Sequence, residues 1–135
     1  MIVVDTNIIG YLFLKSKRSG LAEQALRQDS EWGAPLLWRS ELRNVLALYV
    51  RRGLLALSEA QEMMDTAMDL VRGREYDVVS SHVLKLAADS SCSAYDCEFV
   101  AVAQDLGVPL VTVDKQVLKQ FPKIATSLED FCSSG

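Results

Sequence analysis

The sequence predicts an α/β sandwich built on a mainly parallel sheet, and three observations predict it. Short apolar runs, Ile2-Val3-Val4 and Leu110-Val111-Thr112-Val113, have the length and composition of strands buried on both faces. Between such runs lie stretches whose apolar residues recur at helical spacing. The two kinds of segment alternate along all 135 residues with no internal repeat, linker or low-complexity stretch, so one domain spanning 1–135 is expected.

The first strand is expected over 2–4. A helix over 6–14 follows, because Ile8 and Leu12, and Ile9 and Phe13, are spaced i, i+4. Residues 15–20 are basic and small, a turn, before a short helix over 21–28 that turns Leu21, Ala22, Ala25 and Leu26 inward. Gly33 and Pro35 lead into a second strand placed at 35–38. Leu42, Val45, Leu46 and Tyr49 mark an amphipathic helix over 40–52 that Gly53 closes, and a similar helix over 58–71 precedes Gly73. Residues 76–80 read as a short strand and 82–89 as a helix. A long helix over 93–106 carries Tyr95, Phe99, Val102 and Leu106 on one side and ends at Gly107. The strand over 109–113, a short helix over 115–120 and a final strand at 124–125 complete the order, and the tail 133–135 is expected to fray.

Composition removes several classes of function. Lys and Arg number 14 against 18 Asp and Glu, a net charge of -4, so overall charge cannot hold a nucleic acid; such a partner needs a local basic patch or a bridging cation. Three cysteines, Cys92, Cys97 and Cys132, fit neither a CxxC nor a zinc framework, and a reduced, cytoplasmic protein is expected. The start has no basic n-region, and its apolar run is far short of the roughly 18 residues of a membrane span, so neither secretion nor a membrane is expected. The sole histidine, His82, has no cysteine or second histidine to make a zinc site with it.

Both strong strands stop on a carboxylate, Asp5 and Asp114. In an open parallel sheet, sites form in the crevice beyond the carboxyl ends of the strands. Glu41, expected to open the helix after the second strand, and Asp96, in the first turn of the long helix, are placed as suggestively. Each has a plainer explanation. Asp5 and Asp114 serve equally well as helix N-caps, Ser93-Ala94-Tyr95-Asp96 looks like a capping box, and Glu41 complements a positive helix end. Together, however, four carboxylates on one rim repel one another unless something positive lies among them. A hard divalent cation suits them: magnesium takes carboxylate oxygens, keeps several waters, lowers the pKa of one and offsets charge on a phosphodiester.

Asp5-Thr6-Asn7 after a first strand, Glu41 in the next helix, Tyr95-Asp96, and Leu110-Val111-Thr112-Val113-Asp114 resemble the acidic signature of the PIN domain, especially the compact VapC-like toxins of toxin-antitoxin pairs. The likeness runs from Ile2 to about Phe131. It implies a three-layer α/β/α fold, a Mg²⁺- or Mn²⁺-dependent endoribonuclease that leaves a 5′-phosphate and a 3′-hydroxyl, a homodimer, and a cognate antitoxin that masks the site. On this chain it implies Asp5, Asp96 and Asp114 as metal ligands, with Glu41 as a further ligand or as the group that handles a water proton. Thr6, Asn7 and Thr112 would support them. Thr112 shares a face with Asp114, two residues on, and orients that carboxylate or merely suits a strand; Asn7 orients the site or ties down its own turn. Lys115 and Gln116 stand where some relatives carry a further acid, which leaves one metal or two open and gives Lys115 a phosphate to contact.

For RNA, the cations expected to matter most are Arg39 and Arg43, flanking Glu41, and Lys115; Lys15, Lys17, Arg18, Arg51, Arg52, Arg72 and Arg74 are ordinary surface charges or further contacts. Leu54, Leu55 and Leu57 with Met63, Met64 and Met68 are candidate dimer contacts or plain core. Two enzymatic rivals fail on residues: a haloacid-dehalogenase-like site needs a second aspartate where Asn7 stands, and a receiver domain needs paired acids at the first strand. The alternative from another class is a catalytically inactive PIN-like fold that binds RNA or a protein.

Overall fold

The computed structural model describes residues 1–134. Five parallel strands form the centre: β1 (Ile2–Val4), β2 (Trp32–Pro35), β3 (Glu75–Tyr76), β4 (Leu110–Thr112) and β5 (Ala125–Ser127), in the order β3-β2-β1-β4-β5. Eight helices connect and cover them: α1 (Thr6–Phe13), α2 (Ser19–Gln28), α3 (Leu37–Arg51), α4 (Leu57–Leu70), α5 (Ser80–Ala88), α6 (Ala94–Leu106), α7 (Lys115–Gln120) and α8 (Leu128–Ser133). β1 is paired on both sides, and Ile2, Val3 and Val4 are all buried, which is why this run shows no polar alternation.

The sheet order dictates the layers. From β1 the chain steps outward to β2 and then β3, and right-handed crossovers place α1 to α4 on one face. From β3 it returns across the sheet to β4, which puts α5 and α6 on the other; α6 packs on β1 and β2 with α5 against it. α8 then follows β5 and packs on α2, β4 and β5. The core is aliphatic, with two fully buried tryptophans, Trp32 and Trp38, as its largest members. Among the described residues no helix is long and apolar enough to cross a membrane.

Several boundaries differ from those the sequence suggests. The second strand is Trp32–Pro35, not 35–38, because the apolar run Leu36-Leu37-Trp38 turns into the first turn of α3; a short apolar run alone does not distinguish strand from buried helix. There Trp38 is buried as a helical residue and donates from Nε1 to Glu75 Oε2 at 2.7 Å. β3 holds only Glu75–Tyr76, and α5 starts at Ser80, so Val78 and Val79 are connection. The last strand runs on to Ser127, and α8, unforeseen, is set by a Ser127 hydroxyl that accepts from the Asp130 amide at 3.0 Å. Of the residues expected on one side of α6, Phe99 and Val102 are buried but Tyr95, in the first turn, is exposed. Of the tail expected to fray, Ser133 closes α8, and Gly135 lies outside the described residues.

Gly33 shows what locks β3 in place. A Cβ there would lie 3.1 Å from the Tyr76 ring and 3.2 Å from the Arg74 carbonyl, so any larger residue would press β3 away from β2 by a few tenths of an ångström. Glu75 then ties the strand to α3: besides Trp38, it accepts both arms of the Arg39 guanidinium at 2.6 Å. That paired guanidinium, followed by the Trp38 bond, holds the Glu75 carboxyl below the usual range, although burial opposes it.

A depressed carboxylate contributes stability above the unfolded-chain pKa, about 4.3 for glutamate, and loses it as pH falls through the folded value. Replacing Glu75→Gln should therefore cost about 1–3 kcal/mol at pH 7, measured by urea denaturation, and the gap from the wild type should narrow as the pH is taken below about 4.

Candidate active site

The topology singles out one place on the sheet. From β1 the chain moves one way and from β4 the other, so β1 and β4, side by side at the centre, form the point where strand order reverses. Connections diverge there and leave a crevice beyond the carboxyl ends of the strands. Asp5 is the residue after β1, and Asp114 lies two residues after the end of β4. α6 leads into β4 and so runs antiparallel to the strands, which brings its first turn, with Asp96, to the same rim. α3 leaves β2 there too and carries Glu41. The resulting crevice, about 270 Å³, is lined by Asp5, Glu41, Asp96 and Asp114 together with Thr6, Asn7 and Thr112, and Phe99 and Leu110 lie among its apolar residues.

The two strand-end aspartates are caps as well as crevice residues. Asp5 Oδ1 accepts from the Ile8 amide at 3.1 Å and Asp114 Oδ1 from the Val117 amide at 3.0 Å, each initiating a helix. Their remaining oxygens are left for other partners. Thr112, 1% exposed, joins the pair: its hydroxyl donates to Asp5 Oδ2 and accepts from the Asp114 amide at 3.0 Å. The sequence suggested that Thr112 orients the carboxylate of Asp114; it instead holds Asp5's carboxylate and Asp114's backbone. The Val113 amide also donates to Asp5 Oδ2, at 3.4 Å.

Glu41 is not at a helix start. α3 begins at Leu37, so Glu41 is in its second turn, and the helix has no acid in its first. Complementing a helix end therefore does not account for it. Its Oε1 instead accepts from the Thr6 hydroxyl at 2.7 Å, a contact between α3 and α1 that aims the carboxylate toward β1. Asp96 is the third residue of α6, where the Ser93 hydroxyl caps its amide at 3.1 Å. Asn7 is exposed at the crevice margin.

Charge explains what else is needed. Asp5 is raised above the usual carboxylate range, first by burial, against the opposing bonds from Thr112, Ile8 and Val113, and further by the neighbouring charge of Asp114. No Lys or Arg lines the crevice among the described residues. Arg39 is committed to Glu75, Arg43 lines a separate apolar groove between α3 and α4, and Lys115 is exposed at the start of α7. His82 bonds Gln104 and faces Asp105 on the outside of α6, away from these acids. The cysteines are free and buried, with thiols raised chiefly by that burial, which makes them poor nucleophiles.

The donor set is all oxygen and anionic, which suits a hard cation and not zinc. Among the described residues, no three acidic, cysteine or histidine side chains are drawn tightly enough together to enclose an ion. An ion that keeps several waters and takes one or two carboxylates directly fits such an open arrangement.

Two residues the sequence reading passed over belong here. Asn44 lines the crevice, and its i+3 spacing from Glu41 on one helix was the available signal. Glu98 is half-buried on α6, and its carboxyl is raised by burial and then by the charge of Glu41. An acid among the buried Cys97, Phe99 and Val100 marks it.

A model of the PIN domain matches residues 2–124, and the chain belongs to that family. It is 32% identical over 128 residues to the ribonuclease VapC3 of Pyrobaculum aerophilum, a match that covers 93% of this chain and 98% of the relative. Two solved structures share the fold. The crystal structure of PAE2754 from Pyrobaculum aerophilum superposes with a TM-score of 0.77 at 19% identity, over 98% of this chain and 94% of that one. A toxin-antitoxin complex from Klebsiella pneumoniae contains a chain that superposes with a TM-score of 0.69 at 19% identity, over 95% of this chain and 98% of that one.

Asp5's raised pKa means that its charge opposes folding at neutral pH, and that this opposition is relieved as the pH falls through the folded value. Thr112→Val, close in volume but without the hydroxyl, takes a donor from Asp5 and an acceptor from the Asp114 amide. It should cost about 1–3 kcal/mol in urea denaturation, while Thr112→Ser retains most of the stability; equal stability of all three would show that the bridge does not hold the rim.

Proposed function

We propose that this chain is a Mg²⁺- or Mn²⁺-dependent endoribonuclease, the toxin of a toxin-antitoxin pair, restrained by a cognate antitoxin. The observation that carries this reading is the gathering of Asp5, Glu41, Asp96 and Asp114 around one crevice at the switch point of the sheet, with no basic side chain lining it. The ribonuclease relative and the fold shared with a toxin-antitoxin complex support it. Cytoplasmic action follows from the same reading.

Asp5, Asp96 and Asp114 are the groups that would hold the metal. Once bound, it would offset charge on the phosphodiester and favour ionisation of the attacking water. Thr112 keeps Asp5 and the segment carrying Asp114 in register across β1 and β4. Thr6 fixes one oxygen of Glu41 and leaves the other to receive the water's proton as the phosphodiester is attacked in line. Asn7 and Asn44, exposed in the crevice lining, would donate to substrate oxygens. Lys115 supplies charge next to Asp114, and Arg43 lies further out on α3. Self-association as a homodimer is proposed at the α3–α4 connection, where Leu54 and Leu57 are both exposed.

Purified protein should cut single-stranded RNA with Mg²⁺ or Mn²⁺ and stop with chelator, and Asp5→Asn should lower the rate by about 100-fold or more. The same metals should raise the melting temperature of the wild type, by about 2.7 kcal/mol of stability at one hundred times Kd, and have less effect on Asp114→Asn. RNA binding together with cleavage indifferent to chelator and to Asp5→Asn would favour the non-catalytic binding module.

A further inference from the structure

Beside the acidic crevice lies a smaller cavity, about 140 Å³, between α1 and α3. It shares Thr6, Asn7 and Val45 with the crevice, so the two adjoin, the smaller one lying along α1. Its chemistry is different. Two half-buried tyrosines line it, Tyr11 from α1 and Tyr49 from α3, with Lys15 and Ser16 from the turn after α1 and no acid among its described lining. Lys15 is exposed and makes no ion pair among the described residues.

Gly10 also lines this cavity. The residue is buried, yet a Cβ added to it would meet no atom within 4 Å. Glycine weakens a helix interior relative to alanine, and neither a close approach of neighbouring elements nor a positive φ calls for it at this position. What its missing side chain preserves is the space itself.

Size and charge narrow the occupant. At about half the 300 Å³ of the smallest pockets that hold drug-sized ligands, the cavity suits one flat ring system rather than a helix. A chain of net charge -4 whose crevice is walled by carboxylates gains little attraction for RNA from Coulomb forces there, so affinity has to come from contacts beside it. We infer that this cavity receives an unpaired nucleobase next to the bond that is cut, stacked on Tyr11 and Tyr49 with Lys15 against an adjoining phosphate, an assignment that rests on the nuclease reading above. Unpaired bases of RNA are recognised by such stacking on aromatic side chains. The tyrosines thus help hold the base that flanks the cut, whichever base it is.

The test uses short single-stranded RNAs that each lack one base, stepped through the positions around the cut. One flanking position should show a fall in kcat/KM of about 5- to 100-fold, and Tyr49→Ala should cost a similar factor on the intact RNA but little more on that abasic RNA. Tyr49→Phe should keep the activity, and Gly10→Ala, which clashes with nothing, should lower kcat/KM mainly through KM. Failure of the nuclease reading is separate, since wild-type protein would then cut no RNA at all. Binding decides in that case: Asp5→Asn protein should quench a 2-aminopurine at the same flanking position, and Asp5→Asn combined with Tyr49→Ala should not. Full additivity of Tyr49→Ala with every abasic substrate, or absence of quenching, overturns the inference. So does a Tyr49→Ala protein that loses its antitoxin yet binds RNA normally, which would assign the cavity to a protein side chain.

Discussion

Carboxylates gathered on one rim of the sheet, with no lysine or arginine among the described lining, are the constraint around which the candidate site is built. Asp5 and Asp114 are fixed just beyond the ends of adjacent strands of one sheet, where each spends an oxygen on capping the helix that follows it. Thr112 spans the gap between them. Glu41 is drawn toward the same rim by Thr6, and Glu98 feels its charge. The fold stabilises its helices with these groups and accepts their mutual repulsion, a combination that makes sense where a divalent ion relieves the repulsion.

The capping and metal-binding explanations of these aspartates are therefore not rivals. A cap takes one carboxylate oxygen, Oδ1 at both Asp5 and Asp114, which leaves Oδ2 of Asp114 for a ligand, whereas Oδ2 of Asp5 already accepts from Thr112 and Val113 and would have to share. Strand ends in a parallel sheet supply both directions at once, since the helix starts where the strand stops. Burial then raises Asp5, so its anion is costly to maintain in the absence of a counter-charge.

Much of this was readable from the sequence because the decisive signals are local. Val4-Asp5 and Val113-Asp114 announce a strand stopping at a carboxylate, and both became caps in one crevice. The second strand was displaced because Pro35-Leu36-Leu37-Trp38 is apolar throughout and carries no period. Only the partners of Trp38 and Arg39 on Glu75, more than thirty residues away, reveal that it turns into a helix. That same displacement made Glu41 look like a helix start. Arg39 flanks Glu41 in the sequence, but its pairing with Glu75 is a tertiary fact that no local pattern announces. α8 escaped notice because six residues are too few for a periodicity to show. Tyr49 reads as an ordinary position on an amphipathic helix and Tyr11 as a break in an apolar run; the cavity between them exists only once α1 lies against α3.

If these carboxylates share a hard cation, anomalous diffraction from crystals soaked in Mn²⁺ should show it most directly. One strong peak is expected inside the crevice, between Asp5 and Asp114 and within reach of Asp96, that vanishes in crystals of Asp114→Asn. A crevice without such a peak at saturating Mn²⁺, or one filled by a lysine or arginine folded in from the surface, would contradict it.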